Sequence, residues 1–189
     1  MQLLKEKIYK EGIVLQGGIL KVDSFLNHQI DPDLMFEIGK EFAARFGTRK
    51  IDRILTIEAS GIAVALTTGL VLHVPVVFAK KSKSELMKED AYSASVHSFT
   101  KKTTNNVSVL KKFLPQGESV LIIDDFLAHG EAALGLANLV EQAGSKVVGI
   151  GIVIEKEFQG GSRKLVEAGY SVESLARILA FENDKVILD

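Results

Sequence analysis

The chain has 189 residues, no cysteine, and 23 basic against 24 acidic side chains, for a formal net charge of −1. With 47% hydrophobic and 25% charged residues it has an ordinary globular composition, which excludes bulk disorder and collagen-like structure. The lack of cysteine excludes a disulfide framework, a thiolate zinc site and a cysteine nucleophile, and the balanced charge argues against nucleic-acid binding through net charge alone.

A chain of this length buries about 70% of its unfolded surface, so one domain over residues 1–189 is expected to fold without metal or disulfide. Residues 1–12 mix charge with apolar side chains and lack the apolar run of a secretory signal. The longest apolar stretches, such as residues 147–154, are too short for a bilayer, and a cytoplasmic protein is expected.

In chain order, residues 2–11 read as a short amphipathic helix, with Leu3, Leu4 and Ile8 on its apolar side and Gly12 as a stop. Residues 16–30 show neither helical nor strand period and predict irregular structure with short strands. A strong helix follows: Asp31 caps it, Pro32 sits in its first turn, Gly47 ends it, and Leu34, Met35, Ile38, Phe42 and Phe46 form its apolar stripe. Near-continuous apolar runs at 51–57, 74–78, 119–123 and 146–154 predict strands, separated by helical segments at 62–72 and 132–143. Short apolar strands alternating with helices predict an α/β fold, a parallel sheet covered on both faces. Between Lys80 and Lys112 the pattern breaks: 80–90 is polar, and 92–100 and 106–110 flank a turn-like 101–105, which predicts an inserted antiparallel hairpin.

Chemistry concentrates in two places. In VLIIDDFLAHGEA, residues 120–132, an apolar strand ends in Asp124 and Asp125, and a loop with Gly130 opens a helix. Ligands of parallel sheets bind beyond the carboxyl ends of the strands, and a glycine loop opening a helix offers N–H groups and a positive dipole end to an anion. Acids beside such a cradle suit sugar hydroxyls or a Mg²⁺ ion that bridges to the substrate. Alternatively, the pair simply caps a helix at the surface. The second place is Glu58-Ala59-Ser60-Gly61, another tight strand-to-helix turn. Two such turns at neighbouring strand ends could hold two phosphates at once.

At these residues the chain resembles the type I phosphoribosyltransferases, whose signature is four apolar residues, two acids and a small loop. The order of elements from about 31 to 155 follows that family. MQLLKEKI, LKVDSFLNHQIDP, EASGIA and VIEKEFQGG are similar to the branch that uses xanthine, over nearly the whole length. The resemblance implies a pentosyltransferase of purine salvage that joins the 5-phosphoribosyl group of phosphoribosyl diphosphate (PRPP) to xanthine, giving XMP and pyrophosphate. It implies that Ala128, His129, Gly130, Glu131 and Ala132 bind the 5′-phosphate, that Asp124 and Asp125 hold the ribose hydroxyls, and that Glu58, Ala59, Ser60 and Gly61 form the pyrophosphate loop. It further implies a core over about 31–155, a base-holding hood from 12–30 and 156–189, a mobile flap at 80–110, Mg²⁺ arriving with PRPP, and a homodimer. Base contacts would come from Leu20, Asn27 and Lys156, with a cation suited to a purine that ionises easily; Phe158 could stack on the ring.

Some residues depart from the family pattern. His129 and Ala132 stand where threonines are usual and Glu131 where a small residue is common, so two hydroxyl donors are missing; Glu131 must turn away from a phosphate. Ala128 replaces an acid that hypoxanthine-guanine relatives carry, so no general base is named. The pyrophosphate turn lacks a cation, which Lys80, Lys81 or a partner subunit's lysine would supply. His28, His73 and His97 read as packing or surface residues, and Lys101-Lys102 and Lys111-Lys112 as solvated faces. The rival readings are a nucleotide-sensing regulator of the same fold that binds nucleic acid, a receiver-type signalling domain, and a sister enzyme for another purine. Against them stand the balanced charge, the late position of the acid pair and the residue pattern quoted above.

Overall fold

The computed structural model describes residues 1–81, 90–98 and 103–189. The polar stretch at 82–89 and the turn residues 99–102, with Lys101 and Lys102, lie outside the described residues, as does the His97 side chain. Helix α1 (Gln2–Glu11) buries Leu4 and Ile8; Leu3, expected on the same side, is 47% exposed. It stands one residue off the i, i+4 row that Leu4 and Ile8 share. Strands β1 (Ile13–Leu15) and β2 (Ile19–Lys21) form a small antiparallel ribbon, followed by a helical turn over Asp23–Asn27.

Helix α2 (Pro32–Phe46) starts at Asp31, whose carboxylate accepts from the Leu34 N–H at 3.1 Å. All five residues of its expected stripe are buried. Strands β3 (Arg53–Ile57) and β4 (Val76–Ala79) flank helix α3 (Gly61–Leu72). The hairpin is β5 (Ala91–Ser98) with β6 (Thr103–Leu110), in register from Ala91–Leu110 to Ser98–Thr103. Strand β7 (Ser119–Leu127), helix α4 (Glu131–Gln142), strand β8 (Lys146–Lys156), helix α5 (Gly161–Glu167) and strands β9 (Val172–Glu182) and β10 (Lys185–Leu188) complete the chain.

Six strands make the main sheet in the order β10-β9-β8-β7-β3-β4; β10 runs antiparallel and the neighbouring pairs among the other five are parallel. Successive strand residues point to opposite faces, which divides the core in two. Ile54, Leu121 and Ile123 pack with α1, α2 and α3, whereas Leu55, Ile57, Val120, Ile122, Ile150 and Ile152 pack with α4 and the hairpin. The glycines of the GIG run in β8 serve α2: a Cβ at Gly149 would lie 2.4 Å from the Phe46 ring, and one at Gly151 would lie 2.8 Å from Phe42. Residues 156–189, read from sequence as half of a hood, include β9 and β10, which extend the main sheet.

Candidate active site at the carboxyl edge of the sheet

Strands β3 and β7 are parallel neighbours, so the turns that leave them emerge side by side. The first turn is Glu58-Ala59-Ser60, with a cis peptide between Glu58 and Ala59. The Glu58 N–H donates to the Ala79 carbonyl at 3.1 Å, and Glu58 Oε1 accepts from the Lys81 N–H at 2.6 Å, fastening the turn to the end of β4. Gly61 begins α3 where a Cβ would lie 2.2 Å from Thr56 Oγ1 and 3.1 Å from Asp124 Oδ1, so only glycine fits between the turn and β7. No side chain caps the N-terminus of α3.

In the second turn β7 continues past the expected end at Ile123 to Leu127 and carries the acid pair within the strand. Asp124 is 5% exposed, and its Oδ1 accepts from the Asp125 N–H at 3.0 Å. Burial, and then the charge of Asp125, pushes the Asp124 carboxyl well above the usual carboxylate range. Ala128, His129 and Gly130 form the loop, and α4 begins at Glu131 rather than Ala132. Gly130 has φ 84°, a left-handed conformation that favours glycine. Here too no side chain caps the helix, so N–H groups of both helix starts are left for another acceptor. The Glu131 carboxylate, repulsive to a phosphate, is held by the Lys164 ammonium of α5.

Lys156 ends β8, beside β7. Its ammonium donates to the Gly18 carbonyl at 3.3 Å in the β1–β2 turn, and burial lowers its pKa. One cavity of about 520 Å³ is lined by Glu58, Ala59 and Ser60, by Asp124 and Asp125, by Ala128 through Ala132, and by Lys156. Gly61 is not among its lining residues; its lack of a Cβ lets α3 start against Thr56 and Asp124. Leu20 lies in the core, Asn27 is exposed at the end of its turn, and Phe158 is 52% exposed, edge-on to Phe181 at 5.9 Å; none of the three lines the cavity. Sequence reasoning missed Val96, Asn105 and Val107 of the hairpin and Gln159 after β8, which also line it. Only the hairpin's position against α4 brings the first three there, and no local motif encodes that.

Chemically, the cleft offers two uncapped helix starts for anions, a carboxylate pair between them for hydroxyls or a hard cation, and two lysines, Lys81 beside the Glu58 turn and Lys156 at the end of β8. The Phosphoribosyl transferase domain family matches residues 27–181. A xanthine phosphoribosyltransferase of Bacillus cytotoxicus is 60% identical over 98% of this chain and 94% of the relative. One from Exiguobacterium sp. is 56% identical over 98% and 96%, and one from Leuconostoc mesenteroides is 55% identical over 99% of both. Among solved structures, adenine phosphoribosyltransferase from Thermoanaerobacter pseudethanolicus is 25% identical with a TM-score of 0.75, covering 92% of this chain and 99% of that one. Adenine phosphoribosyltransferase from Trypanosoma brucei, in complex with AMP, pyrophosphate and ribose-5-phosphate, shares the fold at a TM-score of 0.79 and 17% identity, covering 92% and 79%. By sequence over nearly its full length and by fold, the chain belongs to the phosphoribosyl transferase family.

Proposed function

We propose that the chain transfers the 5-phosphoribosyl group of PRPP to xanthine, giving XMP and pyrophosphate in purine salvage. It is a pentosyltransferase. The observation that carries this reading is the pair of uncapped helix starts at neighbouring strand ends, opening into one cavity with the buried Asp124 and half-buried Asp125 between them. The identity of 53–60% to relatives bearing the xanthine name supports the choice of base.

In this reading Ala128 to Ala132 hold the 5′-phosphate through backbone amides and the dipole of α4, and Glu58 to Gly61 hold the diphosphate. Asp125, with Asp124 behind it, receives the ribose hydroxyls. A purine nitrogen bonds to the anomeric carbon as its bond to the diphosphate oxygen breaks, and the electron pair leaves with pyrophosphate. Positive charge develops on the ribose, so these residues act by orientation, charge placement and exclusion of water. Lys156, its charge disfavoured by burial, is matched to an anionic xanthine; a base already ionised needs no carboxylate at Ala128 to take its proton. Leu20, Asn27 and Phe158 belong to the base-holding hood, whose β1–β2 turn meets Lys156 at the Gly18 carbonyl.

A Mg²⁺ ion fits this donor set: carboxylates of the Asp124–Asp125 pair are hard oxygen donors at the cavity, and Mg²⁺ is commonly held by one or two carboxylates plus substrate phosphates. When bound, it neutralises the leaving diphosphate. The β5–β6 hairpin serves as a flap, and Lys81, Val96, Asn105 and Val107 are the described residues of 80–110 that line the cavity. A homodimer is part of the proposal, supported by Leu66 and Leu70, four residues apart on α3 and each 61% exposed. No helix among the described residues is long and apolar enough to cross a membrane, and a cytoplasmic location fits a salvage enzyme. The test is product formation from PRPP, Mg²⁺ and a panel of xanthine, guanine, hypoxanthine and adenine. XMP formed fastest from xanthine is the expected outcome; no XMP ends the reading.

A further inference from the structure

Strand β8 ends in Glu155 and Lys156, whose side chains leave opposite faces of the sheet. Lys156 enters the cavity; Glu155 does not. Glu155 is 1% exposed, and a buried carboxylate is unfavourable unless hydrogen-bonded. Its two oxygens are met by two serines. Oε1 accepts from Ser162 Oγ in the first turn of α5, and Oε2 accepts from Ser174 Oγ on β9 at 2.5 Å. Arg177 Nε stands 3.6 Å from Oε2.

What Ser162 belongs to gives this cluster a role. Helix α5 has seven residues, too few to be stable unsupported, and it backs the 128–131 loop at three points. At Gly161 an added Cβ would lie 2.3 Å from the Ala128 carbonyl oxygen and 3.0 Å from the Gly130 nitrogen, so the helix start touches the loop backbone. The Leu165 Cγ would lie 3.7 Å from a Cβ on Gly130, and Lys164 pairs with Glu131. The loop is short, glycine-containing and uncapped, so its outer wall is this helix.

We infer that Glu155 is a positioning residue: by holding Ser162 it fixes α5, and α5 fixes the backbone amides of the 5′-phosphate loop. Glu155 thus governs binding at one end of PRPP without touching it. The inference rests on the proposed function for the identity of the loop's ligand.

The experiment compares wild type, Glu155→Gln, Ser162→Ala and Ser162→Thr by calorimetric titration with ribose 5-phosphate and, separately, with pyrophosphate. Glu155→Gln and Ser162→Ala are expected to weaken ribose 5-phosphate about tenfold or more, a cost typical of misplacing a binding group from a distance. Pyrophosphate affinity stays unchanged in both, since its turn leans on β4 and β7 instead. Ser162→Thr keeps the hydroxyl and restores wild-type binding. In turnover, the KM for PRPP rises while that for xanthine holds. A folded Ser162→Ala protein with a lower Tm but unaltered ribose 5-phosphate affinity overturns the inference, as does an equal loss for both ligands. Should Glu155→Gln fail to fold, the two Ser162 variants decide. A wild-type protein that binds neither ligand overturns the functional reading itself, which separates the two failures.

Discussion

In the proposed reading, the phosphate side and the base side of the cleft are built by different means. Each anion turn is one continuous stretch, an apolar strand running through a few small or acidic residues into a helix, and its donors are backbone amides. The base side joins distant segments: Lys156 meets Gly18 across 138 positions of sequence, and Phe158 meets Phe181. Backbone donors survive side-chain replacement, so a loop reading AHGEA can do what a threonine-bearing loop does. Side-chain contacts do not survive it, so selectivity for the base rests with a few residues.

Substitutions can break that contrast. The largest effect is expected at Asp125. Asp125→Asn removes the charge beside the ribose and should lower kcat/KM by about 10²–10³ with every base, the usual range for losing a preorganised electrostatic partner. Steady-state kinetics across the panel measure it; an unimpaired variant refutes the ribose role.

Lys156→Ala should raise the KM for xanthine about tenfold or more, as loss of a charged hydrogen bond costs about 1.5–3 kcal/mol, and leave the KM for PRPP alone. Equal rises in both constants would place Lys156 outside base recognition. Gly130→Ala asks the opposite question. A side chain at φ 84° strains the loop, and its Cβ would lie 3.3 Å from the Gly161 carbonyl oxygen. About 1 kcal/mol of stability should go, read by denaturant melts, with a rise in the KM for PRPP and none for xanthine.

The smallest expected effect has the opposite sign for stability. Asp124 has its carboxyl pKa raised by burial, so the native state holds its proton at a pH where the unfolded chain, near the ordinary value of about 3.9, has released it. Between those two pKa values the native state binds more protons, so this group makes stability fall as pH rises. Asp124→Asn removes that penalty and should raise Tm at neutral pH by about 2–4 °C for each ~1 kcal/mol relieved, while activity falls. Tm scans at acidic and neutral pH should show the gain fading toward low pH. A gain independent of pH would mean that Asp124 is not the source.

The same contrast explains what the sequence disclosed. Helix α2 and the four strands β3, β4, β7 and β8 were legible because their signals are local: a cap, a stripe, an uninterrupted apolar run. Both strand-to-helix turns were legible for the same reason. β7 was placed four residues short because Asp124 and Asp125 look like a strand's end, yet they continue the ladder, with Asp124 opposite Ile152. β9 and α5 gave no clear signal. VESLARILAFE mixes exposed Arg177 and Leu179 among its buried positions, and GSRKLVE is too short and polar to show a helical period. The hairpin residues and Gln159 reach the cavity only through tertiary packing.

The central claim is that two backbone-lined turns grip the two ends of one activated sugar. Crystals grown with PRPP and Mg²⁺ test it most directly. The 5′-phosphate should lie on the amides of residues 128–132 and the diphosphate on the turn of residues 58–61, with Asp125 at the ribose. The reversed orientation, or PRPP bound anywhere else, would contradict it.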